Sequence, residues 1–175
     1  MKNLKLVWCF LFVIITVSCK SDEEKQIEKN YNKYKSNTLN TGETPYSIIY
    51  GENISCSELD CSNISVSTSE ESNVIVSVKD EYQNVVYHAY IKANDYHSFS
   101  LPNGSYQVFF YYGNGWDPNK KMKVGKKQLK GGFLDSESFG KDDVINLENN
   151  SLSYELISQI NGNFSTSPSN MNEAF

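Results

Sequence analysis

Arginine is absent from this chain of 175 residues: all 16 basic residues are lysine, set against 21 acidic residues for a formal charge of −5. Without Arg there is no bidentate clamp for phosphate or carboxylate, no arginine finger and no bidentate readout of guanine. The acidic balance points the same way, and nucleic acid is not an expected partner. Histidine is nearly missing as well, with only His88 and His97, and cysteine is limited to four residues. Little material is left for metal or nucleophile chemistry. No Gly-x-Ser-x-Gly and no His-Glu-x-x-His occurs, so no catalytic residue, metal or cofactor is expected. A hydrolase is kept as a third reading, because a fold can assemble a site from scattered serines. No internal repeat is visible, and the length suits one domain of ordinary size.

What is present starts at the N-terminus. Lys2 and Lys5 form a short basic region, and Leu6 to Val17 is an almost unbroken apolar run. That run is shorter than the roughly 20 apolar residues a bilayer span needs, so it reads as a secretory signal, with an uncleaved anchor as the alternative. Its ending, Thr16-Val17-Ser18-Cys19, resembles the lipobox of bacterial lipoproteins, with Thr16 where that family usually has Leu. The resemblance implies cleavage after residue 18, acylation of Cys19 and a membrane anchor through its palmitate-type chains. Lys20-Ser21-Asp22-Glu23-Glu24 looks like the acidic export signal of some Gram-negative lipoproteins, which implies display on the outer face of the outer membrane. A solvated acidic linker is the plainer alternative. Removal of Lys2 and Lys5 leaves 14 lysines against 21 acids, a net −7 with the Cys19 amine blocked as in that family.

Residues 19–44 are polar and nearly free of aliphatics, with Ile27, Tyr31 and Tyr34 in one narrow helical stripe. The segment is expected to be a lipidated flexible tether with transient helix. From Pro45 the pattern turns to period two. Ile64 and Val66, Val74 to Val78, Val85 to Ile91, Phe99 and Leu101, Tyr106 to Tyr112, Val144 to Leu147, and Leu152 to Leu156 each alternate or run as short apolar stretches between Gly, Asn, Asp and Ser clusters. No 3.6 period appears in residues 45–175. About seven antiparallel strands in an all-β sandwich is the economical reading. Leu101-Pro102-Asn103-Gly104-Ser105-Tyr106-Gln107-Val108 resembles the hairpin of prealbumin-like and related immunoglobulin-like sandwich modules. There a Pro-x-Gly-x-Tyr turn feeds a central strand, with the Tyr106 ring packed and its hydroxyl on a backbone partner.

Cys56 and Cys61, with Cys9 in the signal and Cys19 at the lipid site, are expected to form a local disulfide. A metal half-site would need His88 and His97 as well. Asp135, Glu137, Asp142 and Asp143 could offer oxygen ligands but lack calcium-loop spacing, and a solvated loop is the default. The segment richest in functional residues is Gly113 to Phe133. Six lysines fall within residues 120–130 with no acid among them, just after Gly115-Trp116-Asp117-Pro118, and Gly113 to Lys130 is expected to be a flexible binding loop. Trp116 and Tyr111 are candidates for an exposed stacking platform, with Lys120, Lys121 and Lys123 facing an anionic surface or ligand. The competing reading buries the aromatics in the sandwich and lets the lysines protect an edge hairpin. The functional expectation is a surface-anchored, non-enzymatic lipoprotein that binds a glycan, peptide or partner protein. A structural accessory subunit or spacer of an outer-membrane assembly is the alternative.

Overall fold

The computed structural model describes residues 21–56, 60–156 and 166–175. Residues 1–20, on which the expected signal and the expected lipidation of Cys19 fall, lie outside the described residues.

Each of the seven period-two segments is a strand. β1 (Cys61–Thr68), β4 (Tyr96–Pro102) and β8 (Ser151–Leu156) form one sheet in the order β4-β1-β8, with β1 antiparallel to β4 and parallel to β8. The second sheet holds β2 (Asn73–Asp80), β3 (Val85–Ile91), β5 (Gly104–Val124), β6 (Lys127–Lys141) and β9 (Ser167–Pro168) in the order β3-β2-β5-β6-β9. β7 (Ile145–Leu147) pairs with the first residues of β5. The two sheets pack face to face as an all-β sandwich. The hairpin expected at Leu101 to Val108 is not formed, because β4 and β5 belong to different sheets and the chain crosses between them there. Tyr106 is nevertheless placed as expected, its ring buried and its hydroxyl donating to the Pro102 carbonyl at 3.0 Å. Cys56 and Cys61 are disulfide-bonded, with a Cα–Cα distance of 5.7 Å.

Between the sheets the alternating residues meet. Ile64, Val66, Phe99, Leu101 and Tyr154 from the smaller sheet pack on Val74, Val76, Val78, Tyr87, Ala89, Ile91, Val108 and Phe110 from the larger. Those are the inward positions of period-two strands, and their burial supplies the main favourable term for the sandwich.

The larger sheet is buried on its other face too, which the strand pattern did not announce. Ile75, Tyr90, Phe109, Tyr111, Trp116, Met122, Leu129 and Phe133 form a second core there, closed by Tyr46, Ala174 and Phe175. Its cover comes from segments outside the sheets: residues 37–54, which include α2 (Ser47–Tyr50), and α3 (Met171–Ala174). Ser77 and Lys79 sit under this cover. Ser77 Oγ donates to the Ala174 carbonyl at 2.7 Å, and Lys79 Nζ to the Glu173 carbonyl at 2.5 Å.

Two sequence expectations change. The boundary of the folded unit lies before residue 45, because the supposed tether is built into the domain. Trp116 N–H donates to the Asn37 carbonyl at 2.8 Å, Gly42 N–H to that of Tyr90 at 2.8 Å, and Tyr90 N–H to that of Glu43 at 2.8 Å. With Asn53 bridging the His88 backbone and Ile54 N–H donating to the Val86 carbonyl, the strap occupies the outer edge of β3. An open strand edge is a template for unwanted pairing, and here the chain itself closes it. Upstream, residues 22–34 form a regular helix, α1 (Asp22–Tyr34), started by a capping box in which Ser21 Oγ accepts from Glu24 N–H and Glu24 returns a bond to Ser21 N–H. Asp22, Glu23 and Glu24 thus fill the first turn, where the helix dipole favours anions. The helix holds to the domain at its C-terminal end, where Asn30 Nδ2 donates to Asp117 at 2.6 Å and Asn119 Nδ2 to the Tyr34 hydroxyl at 3.1 Å.

The second change is that Gly113 to Lys130 is not a loop. β5 runs on to Val124, turns at Gly125-Lys126, and returns as β6. Gly125, at φ +55, takes the first central turn position, where two-residue hairpins favour glycine. Glycine reads as a loop former, but here it clears space inside a sheet. A Cβ on Gly113 would lie 2.4 Å from that of Phe133, and one on Gly131 (φ +100) 2.5 Å from Trp116 Cζ2.

Candidate functional site

Trp116 and Tyr111 are core residues, as the competing reading of this segment had it, and the exposed stacking platform is not formed. Trp116 is 2 % exposed, directly opposite Phe133 in the β5–β6 ladder, with edge-to-face contacts to Phe133 and Tyr90 at 5.6 and 5.8 Å between centroids. Tyr111 is fully buried and stacks on Phe139 at 4.5 Å. Its hydroxyl accepts from Phe133 N–H at 3.1 Å and donates to Glu137. Burial, with the neighbouring Glu137 carboxylate second, pushes the Tyr111 hydroxyl well above the usual phenol range, so it stays protonated as a donor. The physical cause of the correction is the continuation of the hairpin: residues expected to project from a loop alternate instead into the second core.

The lysines divide. Lys120 is tied inward, its ammonium donating to the Phe133 carbonyl and to Glu137, each at 2.5 Å. Lys121 and Lys123 are exposed. In the ladder Lys121 stands opposite Lys130 and Lys123 opposite Gln128, while Met122 and Leu129, opposite each other, are buried. Directly opposed residues share a face and neighbours alternate, so Lys121, Lys123, Gln128 and Lys130 make one outward face of the hairpin.

That face borders a groove. Pro118, Gln128 and Lys130 form its hairpin wall, Leu39, Glu43, Pro45, Ile48 and Ile49 the opposite wall, and Tyr46 and Trp116 contribute at the base, enclosing a volume of about 410 Å³. Ile48 is 95 % exposed and Ile49 partly so. The wall is held in place by polar contacts beneath it: Tyr46 N–H donates to His88 Nε2 at 3.0 Å and the Tyr46 hydroxyl to the Gly131 carbonyl at 3.3 Å. Beside it Lys127 lies over the Tyr50 ring at 4.5 Å, a cation–π contact that pins α2 to the hairpin tip. The groove can therefore take apolar side chains beside positive charge. Of its residues the sequence reading picked out the hairpin side alone, Trp116 with Pro118 and the lysine run that ends at Lys130. The signal for the rest was Tyr46-Ser47-Ile48-Ile49-Tyr50, an apolar cluster that fits neither the polar tether nor a period-two strand.

The remaining candidates are engaged elsewhere. His88 is buried and its Nε2 accepts from Tyr46 N–H; burial pulls it down to about 4, so it is neutral near pH 7. His97 Nε2 lies 2.7 Å from the Tyr87 hydroxyl. Glu137 is taken by Tyr111 and Lys120, and Asp142 accepts from the Tyr154 hydroxyl at 2.8 Å. Among the described residues no group of three His, Cys, Asp or Glu converges as a metal site would require. Comparison with known protein families, with curated proteins and with solved structures found no match.

Proposed function

We propose that this chain is a lipoprotein anchored through Cys19 in the outer membrane and displayed at the cell surface. Its sandwich domain acts by binding and not by catalysis: the groove holds a segment of a partner protein. The observation that carries the binding part is the groove itself, where Ile48 stands 95 % exposed beside Ile49 and over buried Trp116. On the same 37–54 strap Tyr46 is buried and Leu39, Tyr50 and Ile54 are partly so, against which Ile48 stands out. A peptide segment suits this shape better than a sugar ring, because the faces of Trp116 and Tyr111 are enclosed in the core and offer no stacking surface. The anchoring part rests on the lipobox resemblance at Thr16 to Cys19 and the acidic residues that follow it.

A photo-crosslinking side chain placed at Ile48 in intact cells should give a discrete cross-linked species. The same group at Tyr82, which is 76 % exposed on the β2–β3 turn, should not. Equal labelling from both positions would remove the groove reading. The anchor has its own measurement: incorporation of a fatty-acid analogue should disappear in Cys19→Ala, and a variant that stays membrane-bound would refute it. Protease accessibility on intact cells then distinguishes surface display from an inward-facing spacer.

A further inference from the structure

We infer that the partner segment is acidic: an aliphatic or aromatic anchor flanked by carboxylates, with the anchor in the groove and the carboxylates along the lysine face of the hairpin. The inference rests on the groove reading above and names its ligand class.

Three observations carry it. Lys121, Lys123 and Lys130 share one face of the β5–β6 hairpin, and Lys130 and Gln128 of that face are groove residues, so positive charge continues directly from the apolar walls. Side chains opposed across an antiparallel ladder lie about 5 Å apart, which places Lys121 beside Lys130 at the groove's margin. None of these three lysines has an acidic partner among the described residues, whereas Lys120, Lys141 and Lys25 are each paired with a carboxylate. Three like charges held together on one narrow ladder repel one another, and an anion relieves that repulsion. Third, the charge is local: without its signal the chain has 14 lysines against 21 acids, so this face is positive on a protein that is otherwise negative. Complementary charge of this kind selects the partner and raises its association rate more than it adds raw affinity.

An anionic bilayer is the other surface of this chemistry, and the molecule argues against it. The feature is a groove and not a flat or convex patch, and its one acid, Glu43, stands on the wall opposite the lysines. The acidic first turn of α1, Asp22 to Glu24, lies between the anchor position and the domain and repels an anionic membrane.

The full-length chain carrying Trp8→Phe, in non-ionic detergent, has Trp116 as its single tryptophan, so emission from the groove base reports occupancy directly. The probes are a labelled peptide with a Leu-Phe pair between glutamates, the same peptide with glutamines, and mixed micelles of that detergent with phosphatidylcholine alone or with phosphatidylglycerol added. The glutamate peptide should bind, shift Trp116 emission and weaken as salt rises. Replacing Lys121, Lys123 and Lys130 by Gln should weaken it about tenfold and flatten the salt dependence. Ile48→Glu should abolish it with an unchanged melting temperature, since Ile48 is almost fully exposed. Equal binding of the glutamine peptide, indifferent to the triple variant, overturns the acidic partner and leaves the groove reading standing. If no peptide moves Trp116 emission and Ile48→Glu changes nothing, both fall. A shift of Trp116 emission by phosphatidylglycerol micelles, absent with phosphatidylcholine alone and without peptide binding, overturns the inference in favour of a lipid surface.

Discussion

The two faces of the larger sheet are both buried, but by different means. The face toward the smaller sheet is rich in valine and isoleucine and is closed strand against strand. The opposite face is mainly aromatic and is closed by pieces of chain that belong to no sheet: the strap of residues 37–54 and the α3 segment. Aliphatic β-branched side chains fill a thin, regular layer between two pleated surfaces. Large rings with polar edges suit an irregular cover, because Tyr46 and Tyr50 can pack a ring and still give their hydroxyls to the Gly131 and Phe175 carbonyls. The first core therefore makes the fold. The second fixes the strap and hairpin that form the groove.

The sharpest way to break this comparison is through the first core. Phe110 is fully buried and meets Tyr154 edge-on at 5.2 Å. Phe110→Ala should cost about 3–5 kcal/mol, read from denaturant midpoints at unchanged slope. Because Phe110 joins the two sheets, hydrogen exchange should rise across both.

Next comes acid. His88 belongs to the second layer, under Tyr46, and its folded value of about 4 lies below the ordinary 6.5. Above 6.5 the ring is neutral whether folded or unfolded. Between 6.5 and 4 the unfolded chain takes up the proton first, so stability falls with pH across that window and the loss levels off below it. The full effect is of the order of 3 kcal/mol. His88→Gln removes the titration: it starts less stable, but its urea midpoint should fall less steeply than wild type from pH 7 to pH 4. Parallel curves would mean that the ring is hydrated in the folded chain.

Phe175 tests whether the cover is a separable layer. It contacts Tyr46 at 5.0 Å and Tyr50 at 6.4 Å, and it is held by Ala174 and Glu173 bonds to β2. Phe175→Ala should cost less than Phe110→Ala, about 2 kcal/mol, since a short cover segment can relax where a strand cannot. Faster hydrogen exchange should be confined to Trp116, Tyr90 and the strap. Loosening of β1 or β8 as well would mean that the two cores act as one.

The same contrast explains how much could be read from sequence. All seven period-two segments are strands, because alternation is imposed by the pleat wherever one face is buried. The inter-sheet core was legible for that reason, and so was the local disulfide. β6 was missed because Gly131, Gly132 and a run of lysines carry loop chemistry; in the fold those glycines make room for Trp116, Met122 and the Tyr111 hydroxyl. The burial of Ile75, Ser77 and Lys79 was hidden for another cause. Their cover comes from residues 37–54 and 171–175, and no local period reports a contact made by so distant a segment. The groove inherits this difficulty, since its two walls are the strap and the hairpin. Tryptophan in a glycine-flanked stretch was a sound pointer to the right place, but to the base of a groove and not to a platform.

The smallest expected effect bears most on function. Ile48 lies on the single-turn α2, almost wholly in solvent, and belongs to neither core. Ile48→Ser should change stability by no more than about 0.5 kcal/mol, because it forfeits almost no buried apolar area. Ile49, partly covered against the same groove, should be more costly to replace. A change at Ile48 that leaves the melting temperature in place while removing partner cross-linking would assign the side chain to binding alone. If the substitution instead lowered stability by more than about 1 kcal/mol, Ile48 would be serving the fold, and its position over the groove would no longer call for a partner.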